Sequence, residues 1–152
     1  MPSLYDVMKF LHVTGAIVWV GGIATLAVMT GRMAGDADRA ALKLMARQSE
    51  FLGRAVMGPS AGLTLLTGLG LSWILGGFTF WMVWGLTGVV ASMVLGATLL
   101  RRANLEMEEL VDAGTLGGAR FATVRRRLAV TGALNLALLL SVVWAMVAKP
   151  AP

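Results

Sequence analysis

The sequence predicts an all-α fold: a four-transmembrane-helix antiparallel bundle with both termini on the outer side. Three observations carry that expectation. Charged residues make up 14% of the 152-residue chain, hydrophobic residues make up 57%, and the apolar residues gather into four long stretches. Mean hydropathy is +0.77. A soluble domain of this size covers its core with roughly a quarter charged residues. The stretches run over about 7–30, 55–75, 80–100 and 128–148. Each has the roughly 20 apolar residues that a helix needs to cross a ~30 Å hydrocarbon layer. Together with their connections they account for residues 1–152 as a single integral membrane domain.

The first stretch, from Phe10 to Thr30, is longer than the roughly 7–15 apolar residues of a cleavable leader, and acidic Asp6 precedes it, so it reads as a retained helix. An amphipathic cytoplasmic helix is expected over about 37–53, capped by Asp36 or Asp38. Its apolar face runs through Ala40, Ala41, Leu44, Met45, Phe51 and Leu52, and its polar face through Arg39, Lys43, Arg47 and Glu50. That pattern suits a helix lying on or just below the headgroups. Pro59 either starts the second spanning helix or kinks it. Gly76-Gly77-Phe78-Thr79 closes spans two and three into a hairpin. Gly58 and Gly62, and then Gly88, Ser92 and Gly96, put small residues four apart, the spacing that lets membrane helices approach closely. Beyond the third span a helical extension, with Arg102 and Glu106 spaced to pair, stops near Asp112-Ala113-Gly114. Gly117-Gly118 makes a second break, and Arg125-Arg126-Arg127 anchors the start of the fourth span.

Charge sets the orientation. Of thirteen basic residues, eleven lie in segments 31–54 and 101–127, leaving Lys9 and Lys149 for the other side. The positive-inside rule therefore puts both long connections in the cytoplasm. Trp73, Trp81, Trp84 and Trp144 all fall at the opposite, outer interface, where an amphipathic ring is best accommodated. The net charge of +5 is thus a matter of topology, and acids in the same connections dilute it, so nucleic acid is not an expected partner; the lipid bilayer is. Cysteine is absent, which excludes disulfides, thiolate metal sites and covalent c-type haem attachment. The two halves share no sequence repeat, so nothing points to an inverted-repeat transporter.

Polar groups inside hydrocarbon are costly and are the first candidates for function. Serine and threonine can return a hydrogen bond to their own helix. His12, the single histidine, cannot do so as easily, and it lies about 10 Å below the outer end of the first helix. Met8, Gly15, Ala16, Trp19 and Gly22 share its stripe, where small residues beside a large ring form a shallow groove for a flat macrocycle or another helix. A neutral imidazole ligates haem iron, and it serves equally as a histidine hydrogen-bonded between helices. Asn135, deep in the fourth span, reads as an interhelical hydrogen-bonding residue. No second histidine is present to act as a base beside a nucleophile, and no phosphate-binding glycine loop is present.

Lys9, Leu11, His12, Trp19 and Gly22 spell K-x-L-H-x6-W-x2-G. This resembles the first-helix signature of a bacterial membrane superfamily that includes HemJ-type protoporphyrinogen oxidases, CopD-type copper-resistance proteins and small uncharacterised four-helix proteins, with a looser similarity from Gly58-Pro59-Ser60 to Thr67-Gly68. The chain is most similar to the uncharacterised branch. The resemblance implies the bacterial inner membrane, haem b ligated by His12, Lys9 placed to meet a propionate, and Trp19, Gly15 and Gly22 beside the cofactor. Met82 and Met146, near the outer ends of their spans, are then candidates for the second axial position. A homodimer offering His12 from each chain and an open sixth site are the other solutions. Three functions stay open: a haem-binding redox or electron-transfer protein, a structural or assembly subunit of a larger membrane complex, and a small-molecule or metal permeation protein.

Overall fold

The computed structural model describes residues 2–32, 39–116 and 118–150, and among them contains six α-helices and no strand. Helix α1 (Leu4–Arg32) opens on a reciprocal cap. The Asp6 backbone N–H donates to Ser3 Oγ at 3.2 Å, and the Ser3 N–H donates to Asp6 Oδ2 at 3.0 Å, satisfying donors that a first turn leaves without partners. Helix α2 (Arg39–Leu52) passes through a π-helical segment, Gly53–Met57, into α3 (Gly58–Ile74). Helix α4 (Phe80–Leu95) passes through a second π-helical segment, Gly96–Leu100, into α5 (Arg101–Asp112), and α6 spans Ala119–Ala148. The expected caps Asp36 and Asp38, and Gly117, lie outside the described residues.

Four helical runs are long and apolar enough to cross a membrane: Leu4–Gly31, Ala40–Ile74, Phe80–Asp112 and Ala119–Ala148. Pro59 therefore does not start the second spanning helix; it follows a π-helical turn within one continuous run. Its ring would collide with a carbonyl one turn earlier, and the adjoining turn, widened to the π form with the Gly58 N–H donating to Gly53 O, precedes it. In the second π segment no proline is present, and the Thr98 hydroxyl donates back to Val94 O at 2.6 Å, a bond that perturbs the ladder locally.

The spanning helices form a ring. Helix α1 packs along α3 on one side and α6 on the other, α6 packs on α4, and α3 and α4 meet as a hairpin. The hairpin turn is closed by Gly76 and Gly77, with φ of 85° and 141°. Gly77 N–H donates to Ser72 O and Gly76 N–H to Trp73 O, the pair of bonds that ends a helix on a left-handed glycine. Gly114 (φ 73°) ends α5 in the same way, where the sequence places the stop. Lys149 Nζ lies 5.6 Å from the centre of the Trp81 ring, so the carboxyl-terminal end meets the start of α4. Both termini and the Gly76-Gly77 turn share one end of the bundle; the other end carries the charge.

Two cores divide the molecule. Trp19, Ile23, Ala61, Val89, Leu139 and Val142 fill the spanning bundle, and Ala103, Leu110, Val111, Phe121, Val124 and Leu128 fill the charged end. Eighteen to twenty residues separate Arg54 from Trp73, Trp81 from Arg101, and Arg126 from Trp144, about 27–30 Å of helix. That distance equals the hydrocarbon thickness, so α2, α5 and the first turns of α6 extend past it as a small bundle of their own. Here the structure departs from the expectation of a helix separate from the second span. Nothing breaks the chain between Leu52 and Gly58, so α2 continues α3 and packs on α5, where Lys43 Nζ meets Asp112 Oδ1 at 2.5 Å. The Arg102–Glu106 pairing is also replaced. Glu106 is held across the seam by Arg120 at 3.1 Å and Arg127 at 3.4 Å, because the α5–α6 groove half-buries its carboxylate between them.

This arrangement separates two exposed leucines by environment. In membranes, a Leu66→Cys variant should resist a water-soluble maleimide, whereas Leu44→Cys, 61% exposed on α2, should react within the same exposure time. Equal labelling of the two positions would contradict the extension of α2 into water.

Candidate functional site

His12 faces α3. Its Nδ1 lies 2.9 Å from the Thr64 carbonyl oxygen and 3.3 Å from Thr67 Oγ1. The carbonyl can only accept, so Nδ1 carries the proton and Nε2 keeps its lone pair. Thr67 Oγ1 donates to the Leu63 carbonyl at 2.6 Å, and Thr64 Oγ1 to the Ser60 carbonyl at 2.8 Å, so both hydroxyls are spent on their own helix. The imidazole rests against Gly68, where an added Cβ would fall 3.0 Å from Cε1 and 3.3 Å from Nδ1. Thr64, Thr67 and Gly68 thus form one turn of α3 built around the ring. No described residue makes a hydrogen bond to Nε2.

Of the two occupants that the glycine stripe of α1 admits, the structure holds a helix. A Cβ on Gly15 would lie 2.7 Å from Thr64 Oγ1 and 3.2 Å from the Ser60 carbonyl oxygen, and one on Gly22 would lie 3.0 Å from Met57 Cγ. Helix α3 fills this face. Trp19 is buried at the centre of the spanning core, in the cluster that takes Ala61 from α3, Val89 from α4 and Leu139 from α6. Lys9 is exposed, with Nζ 5.7 Å from the centre of the Tyr5 ring one turn earlier.

Met82 and Met146 belong to a different seam. Met146 packs its methyl group against Gly85 of α4, and Met82 is buried near the start of α4. The contacts of His12 gather Thr64, Thr67 and Gly68; they do not gather either methionine. The same α4–α6 seam holds a polar pair in which Ser92 Oγ donates to Asn135 Oδ1 at 2.6 Å, both side chains being fully buried. Asn135 therefore makes the expected interhelical bond, and Ser92 is its partner. Gly88 packs on Val142 in this seam, whereas Gly62 and Gly96, of the same small-residue spacing, face open space. Among the described residues no three His, Cys, Asp or Glu side chains come together, so a bare metal ion finds no cage of that kind at His12.

The His12 partners were partly within reach of the sequence. Thr64 and Gly68 lie four apart with Thr67 between them, within the second region of resemblance, but the acceptor is a backbone oxygen that no residue letter encodes.

Four helices of membrane-crossing length and composition, with buried polar side chains paired between or within helices, define an integral membrane helical-bundle protein. Residues 6–150 match the model of a family described as predicted integral membrane protein (DUF2269), and the chain belongs to that family. No curated protein and no solved structure matches the chain.

Two measurements check the geometry. With one histidine in the chain, a ¹⁵N spectrum of the imidazole should show Nδ1 protonated and Nε2 bare; the opposite tautomer would contradict donation to Thr64 O. Gly15→Ala should destabilise the detergent-solubilised protein by about 1–3 kcal/mol through overpacking against α3, whereas Gly21→Ala, whose Cβ meets nothing within 4 Å, should not lower its melting temperature.

Proposed function

We propose that this protein binds haem b through His12 Nε2 and serves in redox or electron transfer in the bacterial inner membrane, with its charged end in the cytoplasm. One observation supports the reading: His12 Nδ1–H donates to Thr64 O across 2.9 Å, which leaves the Nε2 lone pair available to ligate. Ligand histidines characteristically donate their other ring N–H to a carbonyl or carboxylate, which fixes the ring and raises its basicity. The first-helix resemblance supports the same assignment, and the arginine-rich end supports the orientation.

His12 would be the residue that holds haem. Thr64 O holds the proton at Nδ1, Gly68 provides the seat for the ring, and Trp19, about 10 Å deeper, packs in the core below. Lys9, exposed about 4.5 Å nearer the terminus, is the cation available to a propionate. A second iron ligand would come from His12 of a second copy, or be absent, rather than from Met82 or Met146, which pack elsewhere. When bound, haem supplies one-electron exchange at its iron.

A second reading has its own support. Helix α3 fills the glycine stripe and hydrogen-bonds the imidazole, so His12 also works as a plain interhelical tie in a structural or assembly subunit. A permeation path is the least supported, since the buried hydroxyls are spent on neighbouring carbonyls and Asn135. Purified protein expressed with ample haem should show a Soret band that shifts on dithionite reduction and is lost in His12→Ala. Featureless spectra from the unaltered chain, or a band that survives His12→Ala, would sink the haem assignment. Stable recovery with other membrane proteins would then favour the subunit.

A further inference from the structure

Two helical runs leave the spanning bundle through π-helical segments, and the segments lie level. Met57 is nineteen residues before Gly76, and Gly96 is nineteen residues after Gly77, so Gly53–Met57 and Gly96–Leu100 stand at the same height, the first against α1 and the second against α6. Each opens on a glycine whose added Cβ would meet nothing within 4 Å, and neither contains a buried residue. Packing does not ask for glycine at Gly53 or Gly96. Glycine within a helix weakens it relative to alanine, so the chain is soft at the boundary between its two cores. Single π-helical turns within longer helices recur at functional positions.

Helix α2 is the element this softness frees. Its main packing partner is α5, and the Lys43–Asp112 pair, one of the contacts between them, is close to half exposed on both sides, a kind of contact that contributes little to stability. Leu42, Met45, Ala46 and Ser49 of α2 form one wall of a cavity of about 50 Å³, with Phe121 and Leu128 of α6 opposite. We propose that α2 is a hinged arm: it turns about Gly53–Met57, parts from α5 and α6, and opens this cavity at the charged end. The proposal is independent of whether His12 carries haem.

Amide hydrogen exchange of the unaltered protein in lipid nanodiscs tests the pivot. Residues 53–57 should exchange faster than 60–74 and faster than 42–50, and Gly53→Ala should slow them by about fivefold, the effect of alanine over glycine in a helix interior. Protection at 53–57 equal to that of the flanking turns would overturn the hinge. The chain has no cysteine, so spin labels at Gln48→Cys and Ala122→Cys report α2 against α6 directly. A broad distance distribution that narrows with Gly53→Ala but not with Gly62→Ala is expected. A distribution as narrow as that of a Leu66→Cys/Leu134→Cys pair across the spanning bundle would also overturn the proposal.

Discussion

The seam between α1 and α3 is the contact on which the rest depends. In hydrocarbon, apolar side chains gain nothing by leaving lipid for one another, so helices associate through close packing and internal hydrogen bonds. Gly15 brings the two backbones together, since a Cβ there would press on Thr64 Oγ1 and the Ser60 carbonyl. Only at that separation can an imidazole on α1 reach a carbonyl on α3. The same approach fixes the rotation of α1, which turns Trp19 and Ile23 to the common core shared with α4 and α6. A second seam repeats the device: Gly85 and Gly88 admit Met146 and Val142, and Ser92 meets Asn135 at the next turn.

The hydrophobic pattern makes the spans legible because the solvent requirement is crude: about 20 apolar residues, whatever their order. The hairpin turn and the end of α5 are legible because left-handed backbone selects glycine at Gly76, Gly77 and Gly114. What is not legible is continuity. At Pro59 the pattern reads as a new start or a kink, yet a π turn absorbs it and α2 runs on into α3, whereas the third span runs on through Gly96 and Thr98 into the extension the sequence predicts. That outcome depends on packing beyond the boundary, where α2, α5 and α6 offer one another a second core. Pairings across helices are hidden for a related reason. Ser92 with Asn135, and Glu106 with Arg120 and Arg127, need the register of antiparallel neighbours, which local spacing cannot supply. The local alternative of Arg102 with Glu106 was the only one the spacing displayed.

At His12 the division between legible and hidden bears on function. The residue stands out in the sequence because it is the one imidazole in an apolar helix. Its partner is a main-chain oxygen, and its neighbours Thr64 and Thr67 already spend their hydroxyls on α3. If the purpose of the position were only to tie α1 to α3, a serine or threonine reaching the same carbonyl would do it with a smaller group to desolvate. The imidazole brings something a hydroxyl does not: a second nitrogen, fixed in direction by the first, with a lone pair that no described residue uses. Holding a polar ring of that size in hydrocarbon costs more than a hydroxyl tie. The surplus nitrogen is what separates the two readings of this side chain: a plain interhelical tie leaves it idle, and the proposed ligation would use it.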